Sequence, residues 1–357
     1  MGPKIIIVGA GIIGAMSAYH LSKRGARVTL IDAGLGGATA ASFGWINASF
    51  FHDEHHFRIR AAGMAAYADL ARDLDLPTMQ QGSIVWEDEG NAFDAQLATL
   101  TALDADLRVI DGAEVARLEP NLAHPPSRAI LFGAETAVDT SALTASMLDA
   151  AQGLGAKVIR GVLVTGIENG VKTPLGHITA DKVLVTAGTG CERLLATVGV
   201  DLPMLDRPGL MLRTRPVAPV INHILASPTQ ELRQLADGSI LAPVAANHQA
   251  DTADHIATQP DVLADEAMTR VQAMLPGVDL SWDQVMLANR PMPQGGLPAV
   301  GAVGPAGTYV ATMHSGVTLA AVMGGLIASE ILDGVSNKTA DLLAPYRPQR
   351  FENGAAG

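Results

Sequence analysis

The apolar positions of this chain switch between two periods, and the first switch comes at its start. Ile5-Ile6-Ile7-Val8 is an unbroken run of β-favouring residues, the pattern of a strand buried on both faces. Gly9-Ala10-Gly11-Ile12-Ile13-Gly14 interrupts it. Ile13, Met16 and Leu21 then follow on one side of a helix that Gly25 ends, and Arg27–Asp32 reads as a second strand. Residues 53–76 take helical spacing at Ile59, Met64, Tyr67, Leu70 and Leu74 and stop before Pro77. A strand at Ser83–Trp86, a helix over 91–107 and a short helix at Glu114–Leu118 are predicted next. Near Val138 a second βαβ-like passage begins. Asp139 caps a helix through Ala151, Gly153 and Gly155 break it, and strands follow at Lys157–Val164 and Lys182–Thr186. Residues 205–285 mix strand-like runs at Gly209–Thr214 and Ser239–Ala242 with one helix, Ala264–Met274. Thr308–Thr312 is a last buried strand. Gly316 then opens a helix to about Leu332, apolar at Leu319, Val322, Met323, Leu326, Ile327 and Ile331. Beyond Pro345 a loose tail is expected.

The opening βαβ unit carries chemistry. Gly9 permits a tight turn, Gly11 has no Cβ to obstruct a phosphate, and Gly14 lets helix and strand pack closely. The helix start offers unpaired N–H groups and partial positive charge, while Asp32 stands ready for ribose hydroxyls rather than a 2′-phosphate. Strand before, helix after and an acid at the right distance make this a dinucleotide site rather than a glycine-rich turn alone.

Composition narrows the classes. A chain of 357 residues buries a large core and suits two domains. A formal net charge of −12 argues against nucleic acid or an anionic membrane surface as partner, and means that an anionic substrate needs its own local cation. Cys191 is the only cysteine, which excludes an internal disulfide and a cysteine-rich metal site and fits a reducing, cytoplasmic setting. The Ile5–Val8 run is too short to span a bilayer, so no transmembrane segment is expected. His52, His55 and His56 lack a ligand constellation beyond Asp53 and Glu54, so no metal is assigned and their role stays open. No Gly-x-Ser-x-Gly turn supports nucleophilic hydrolysis.

The cofactor fold does not complete itself in one block: the chain leaves after Asp32 and returns near 138–190 and again near 308–332, which favours a flavin protein. At these residues it resembles the FAD-dependent D-amino acid oxidase superfamily, in its glycine oxidase and sarcosine oxidase branch. Five motifs carry the resemblance: Gly9–Gly14 with Asp32; Gly36–Asn47, the family loop that runs beneath the pyrophosphate to the flavin; Gly155–Val164; Ala180–Gly188; and Asn289–Gly301 followed by His314–Ala320. The resemblance implies an α/β protein, a Rossmann-type FAD-binding domain of the glutathione-reductase kind with an interleaved α+β substrate domain. The expected division is 1–80, 136–205 and 286–357 for FAD, and 81–135 and 206–285 for substrate.

It also implies site residues. Gly9, Gly11, Ile12, Ile13, Gly14, Asp32, Ala33, Thr39, Ala40, Ser42, Gly44, Trp45, Ile46, Val164, Ala187, Gly188, Gly316, Val317 and Thr318 would bind FAD. Trp45 reads equally as plain core. The N–H groups of Gly316, Val317 and Thr318 would stabilise negative charge on reduced flavin. Arg290 holds the family's carboxylate-binding place, against the plainer reading of an Arg that ties two loops. His314 stands where glycine oxidase has a second Arg, and is a candidate to bond substrate or flavin, against a partly exposed histidine. The lysine that promotes oxygen reaction and the cysteine that attaches flavin in the sarcosine oxidases have no counterpart, so FAD is expected to be non-covalent. Oxygen and a quinone or other electron carrier both stay open as acceptor. The expected activity is oxidation of the C–N bond of a small amino or imino acid (D-amino acid, glycine/sarcosine or proline-derivative type) to the imine by hydride transfer. A flavin monooxygenase, a nicotinamide-dependent dehydrogenase and a non-catalytic nucleotide-binding protein are the alternatives.

Overall fold

A computed structural model describes residues 2–77, 79–246, 256, 259–305 and 307–354. Lys4–Val8 forms the middle of a six-stranded sheet because its side chains from Ile5 to Val8 are apolar on both faces and all are buried. It pairs in parallel with Arg27–Asp32 on one side and Lys182–Val185 on the other. The full order is Ala299–Ala302, Thr308–Thr312, Lys182–Val185, Lys4–Val8, Arg27–Asp32, Lys157–Arg160, antiparallel only at the first pair. The strand order therefore reverses at Lys4–Val8. Helices Ile12–Lys23, Thr140–Gly153 and Gly316–Asp333 join the core on one face through Met16, Leu143, Leu319 and Ile327. The other face packs Ile6, Val8 and Val185 against helix Cys191–Ala196 and a three-stranded ribbon over Gly166–Thr179. The helix starting at Gly316 is the one described segment long and apolar enough to cross a bilayer; here it is a core helix, 67% buried.

A nine-stranded sheet makes the second layer. Its order is Trp282–Asn289, Pro208–Thr214, Ile240–Pro243, Glu231–Gln234, Ile224–Ala226, Gln80–Val85, Arg128–Ala137, Trp45–Ile46, with Arg108–Asp111 also on Arg128–Ala137. All these pairs are antiparallel except Ile224–Ala226 beside Gln80–Val85. Helix Pro260–Met274 covers part of it through Leu263, Ala267 and Val271. The sheet draws in Trp45–Ile46 and the whole of Trp282–Asn289, so the segment beneath the glycine turn and the segment leading to Arg290 share one scaffold.

Several expectations need correction. Arg128–Ala137, a ten-residue strand of the second sheet that pairs with three others, was not predicted. Nor were the Gly166–Thr179 ribbon and Arg108–Asp111. The helix expected over 91–107 ends at Ala102, and the strand expected over Lys157–Val164 ends at Arg160. The C-terminal segment is not loose. Tyr346 is fully buried, Arg347 pairs with Glu330 (2.6 Å), and Arg350 donates to the carbonyls of Leu297 and Pro298. Tyr309 donates to the same Glu330 carboxylate (2.6 Å), so the tail closes on the late core helix by charge-assisted bonds.

Candidate functional site

A single cavity of about 1360 Å³ opens at the C-terminal ends of Lys4–Val8 and Arg27–Asp32 and runs to the start of helix Gly316–Asp333. It lies where the strand order reverses, the usual ligand position in an open α/β sheet. It exceeds the roughly 300–1,000 Å³ of ordinary small-molecule pockets, leaving room for a long ligand and a second molecule.

At the near end the glycine turn is shaped as expected. Gly9 has φ +107°, and a Cβ on Gly14 would stand 1.9 Å from the Gly9 carbonyl, so residue 14 must be glycine for the turn to sit on the helix. Gly11 heads helix Ile12–Lys23 and has no side chain of its own to cap it. Thr39 reaches across to accept from the Ile12 amide (3.2 Å) and receives the Thr140 hydroxyl on its own carbonyl (2.6 Å). Asp32 accepts from Ala10 N (2.7 Å) on one carboxylate oxygen and from Gly34 N (2.8 Å) on the other. Each oxygen keeps acceptor capacity for a hydroxyl.

Of the predicted residues, Gly9, Gly11, Ile12, Ile13, Asp32, Ala33, Thr39, Ala40, Ser42, Gly44, Trp45, Val164, Ala187, Gly188, Gly316, Val317, Thr318, Arg290 and His314 all line this cavity. Two do not: Gly14 serves helix packing, and Ile46 is buried in the core against the helices. Trp45 combines both readings offered for it. It borders the cavity, yet it is 7% exposed, its ring edges against Phe43 and Phe50, and its indole donates to Glu135 (3.0 Å).

At the far end the late helix begins at Ser315, a non-glycine residue at φ 57°, ψ 23°, and again no side chain caps the helix. Gly316, Val317 and Thr318 of its first turn line the cavity. Left-handed backbone at a non-glycine residue persists only where its surroundings hold it, and here the holder is Arg60. Arg60 donates to Ser315 Oγ (2.6 Å), to the Asn47 carbonyl (3.0 Å) and to Asn47 Oδ1. Thr318 completes the join, donating to the Trp45 carbonyl (3.1 Å). Tyr67 donates to the Val317 carbonyl (2.6 Å), and Gly63 leaves space that a Cβ could not share with the Thr318 carbonyl, 2.4 Å away. Helix Glu54–Asp73 therefore grips the first turn of the late helix with Arg60, Gly63 and Tyr67. Burial pulls the Arg60 guanidinium down to about 10, still charged at neutral pH.

Sequence reasoning missed Arg60, Ser315, Glu135 and Gly209. Arg60 was the legible one, a charged residue on the same helical face as Tyr67. Glu135 is fully buried and accepts from Trp45 Nε1, Ala48 N (3.1 Å), Ser49 N (2.9 Å) and Ser83 Oγ (2.6 Å). Burial pushes its carboxyl up. Gly209, paired with Ala288, makes room for Arg290: a Cβ there would meet Nη2 at 2.8 Å. His314 is half-buried with Nδ1 3.4 Å from Ser315 Oγ. Of the three early histidines only His56 is buried, and burial lowers it to about 4. Among the described residues no three potential metal ligands cluster. Cys191 is buried, does not line the cavity, and is pushed up to about 12 by burial.

These features fit FAD: two helix starts, at Ile12 and Gly316, on the lining of one large cavity, a phosphate turn with no Cβ in the way, and a carboxylate for the ribose. Comparison with known proteins agrees. The sequence is 29% identical to an uncharacterized oxidoreductase, YurR, of Bacillus subtilis (strain 168), over 96% of this chain and 98% of the relative. It is 24% identical to a D-amino acid dehydrogenase of Allorhizobium ampelinum, over 93% and 95% of the two chains. The fold matches glycine oxidase from Geobacillus kaustophilus with TM-score 0.82 at 22% identity, over 98% and 99% of the two chains. Residues 4–330 match the family described as FAD dependent oxidoreductase, DAO. The chain belongs to that family, the FAD-dependent oxidoreductases of the DAO type, and FAD is its cofactor.

Proposed function

We propose that this FAD-dependent oxidoreductase oxidises the C–N bond of a small amino or imino acid to the imine, the substrate being of the D-amino acid, glycine/sarcosine or proline-derivative type. The observation that carries the reading is the continuity of the cavity, which brings the Asp32 turn, Arg290 and the uncapped start of the late helix to one ligand space. The dehydrogenase and oxidase relatives lend it support. Bound non-covalently, FAD supplies the two-electron acceptor for the α-hydrogen, and oxygen or a quinone or other carrier takes the electrons onward.

The chain's own residues do the rest. Gly11 and Ile13 receive the pyrophosphate on backbone N–H groups, Gly9 and Ile12 shape the turn beside it with their own amides held by Ile31 and Thr39, Asp32 and Ala33 take the ribose, and Val164 the adenine. Thr39, Ala40, Ser42, Gly44 and Trp45 form the loop along the cofactor, with Ile46 and Gly14 supporting it from the core; Ala187 and Gly188 close the other wall. Gly316, Val317 and Thr318 present amide dipoles where negative charge accumulates. Arg290 takes the substrate carboxylate with its guanidinium fork, an interaction of about 1.5–3 kcal/mol, and so points the α-carbon at the acceptor. His314, bonded toward Ser315, stands ready to accept a hydrogen bond from the substrate amine. No chain base is required when the amine arrives neutral.

The test is an anaerobic screen of D-, L- and N-alkyl amino acids against the FAD-loaded protein. Bleaching of the visible flavin band by an amino acid, with no bleaching by its decarboxylated amine, is the expected result. A protein that dithionite reduces and that no amino or imino acid does would overturn the reading.

A further inference from the structure

Arg60 is a buried cation with no carboxylate in direct contact; the buried Glu135 carboxyl acts on it from beyond ion-pair distance. It is 4% exposed, and among the described residues no acid lies within ion-pair distance of it. Its three hydrogen bonds all go to neutral acceptors, on Asn47 and Ser315. A charge held in the interior without a contacting counter-ion is costly, so its presence there calls for a reason beyond tying two segments together. Neutral residues could do that: Thr318 and Tyr67 already stitch the same loop and the same helix turn. Arg60 also holds Ser315 in a left-handed conformation at the head of the late helix, on the wall of the cavity. Its charge and the positive end of that helix act on the same point.

We propose that Arg60 is a positioning residue and a stored counter-charge: it fixes Ser315, and with it the uncapped helix start, and keeps one full positive charge at the cavity lining for the negative charge that arrives there on reduction. Glu135 offsets that charge only from a distance, and the ligand brings negative charge to the same helix start when it gains electrons. The inference rests on the reading above, that the flavin ring meets the start of the late helix. It does not require any particular substrate.

The test is sulfite titration of the FAD-loaded protein. Sulfite adds to oxidised flavin, bleaches it, and leaves negative charge that a nearby cation stabilises. Arg60→Met is expected to weaken sulfite binding about tenfold or more, as removal of one buried unit charge at the cavity lining should, and to lower the flavin midpoint potential in the same preparation. Arg60→Lys keeps the charge and should stay within about threefold of the parent protein, less than half a decade of the affinity scale. Where Arg60→Met does not retain FAD, Arg60→Gln, which can still donate to Asn47, carries the same measurement. Parent-like sulfite affinity in the uncharged variants would overturn the proposal, as would Arg60→Lys falling as far as Arg60→Met. No amino acid enters the titration, so a failure here and a failure of the substrate assignment are told apart.

Discussion

Replacing Gly209 by Ala tests how tightly the fold fixes Arg290, the proposed carboxylate anchor. The three nearest heavy atoms to an added Cβ are all in the Arg290 guanidinium group: Nη2 at 2.8 Å, Nε at 3.0 Å and Cζ at 3.2 Å. Ordinary contact begins near 3.4 Å, so the guanidinium has to move by about half an ångström. Only the tip of a flexible side chain is displaced, and Gly209 sits in a regular antiparallel pair with Ala288; stability should therefore change by less than about 1 kcal/mol. Catalysis should not be spared. A misplacement of about 1 Å at a substrate anchor can cost about a hundredfold, which puts Gly209→Ala near a tenfold loss in kcat/KM for a carboxylate substrate. Arg290→Leu removes the charge-assisted pair and should lose about 10- to 150-fold, from 1.5–3 kcal/mol at 1.36 kcal/mol per decade. The informative measurement is the double variant. If Gly209 acts through Arg290, adding Gly209→Ala to Arg290→Leu changes kcat/KM by less than about twofold. Losses that multiply, or a Gly209→Ala protein as active as its parent, would refute the assignment.

Two further expectations concern stability. Each oxygen of Glu135 accepts from two donors, so Glu135→Gln turns an amide N–H₂ against two of them in either orientation; urea unfolding should show a loss of about 3 kcal/mol, and a loss below about 1 kcal/mol would remove Glu135 from this role. His20 is lowered from 6.5 to about 4, chiefly by burial. The unfolded chain binds its proton first as pH falls, so this contribution is intact above about pH 6.5 and is lost between there and pH 4. His20→Leu should therefore gain on the parent by on the order of 2–3 kcal/mol between pH 7 and pH 4, and equal slopes for the two proteins would contradict it.

What could be read from the sequence was what local pattern decides. The glycine turn, Asp32, Thr39 and the Gly-Val-Thr helix start are each set by a short stretch of chain, and each borders the cavity. Gly14 also belonged to that pattern, but its service is to packing. Arg128–Ala137 escaped because Gly133 and Glu135 look solvent-facing in sequence, whereas Glu135 is buried by donors from Trp45, Ala48, Ser49 and Ser83, all more than fifty residues away. The tail escaped for a related reason: its prolines and arginines read as loose until Glu330, on the late helix, supplies the partner for Arg347. Arg60 and Gly209 matter only through what tertiary packing sets beside them, Ser315 in one case and Arg290 in the other. Such residues announce themselves in sequence, at most, as a charge on an apolar helical face or as a glycine inside a strand.

The account depends on where the flavin ring lies, and a crystal structure of the FAD-loaded protein measures that most directly. It should show the adenosine ribose on Asp32 and the pyrimidine edge of the flavin against the amides of residues 316–318, with Arg290 across the ring. A flavin ring turned away from the late helix, or a cofactor that leaves the Asp32 turn empty, would contradict it.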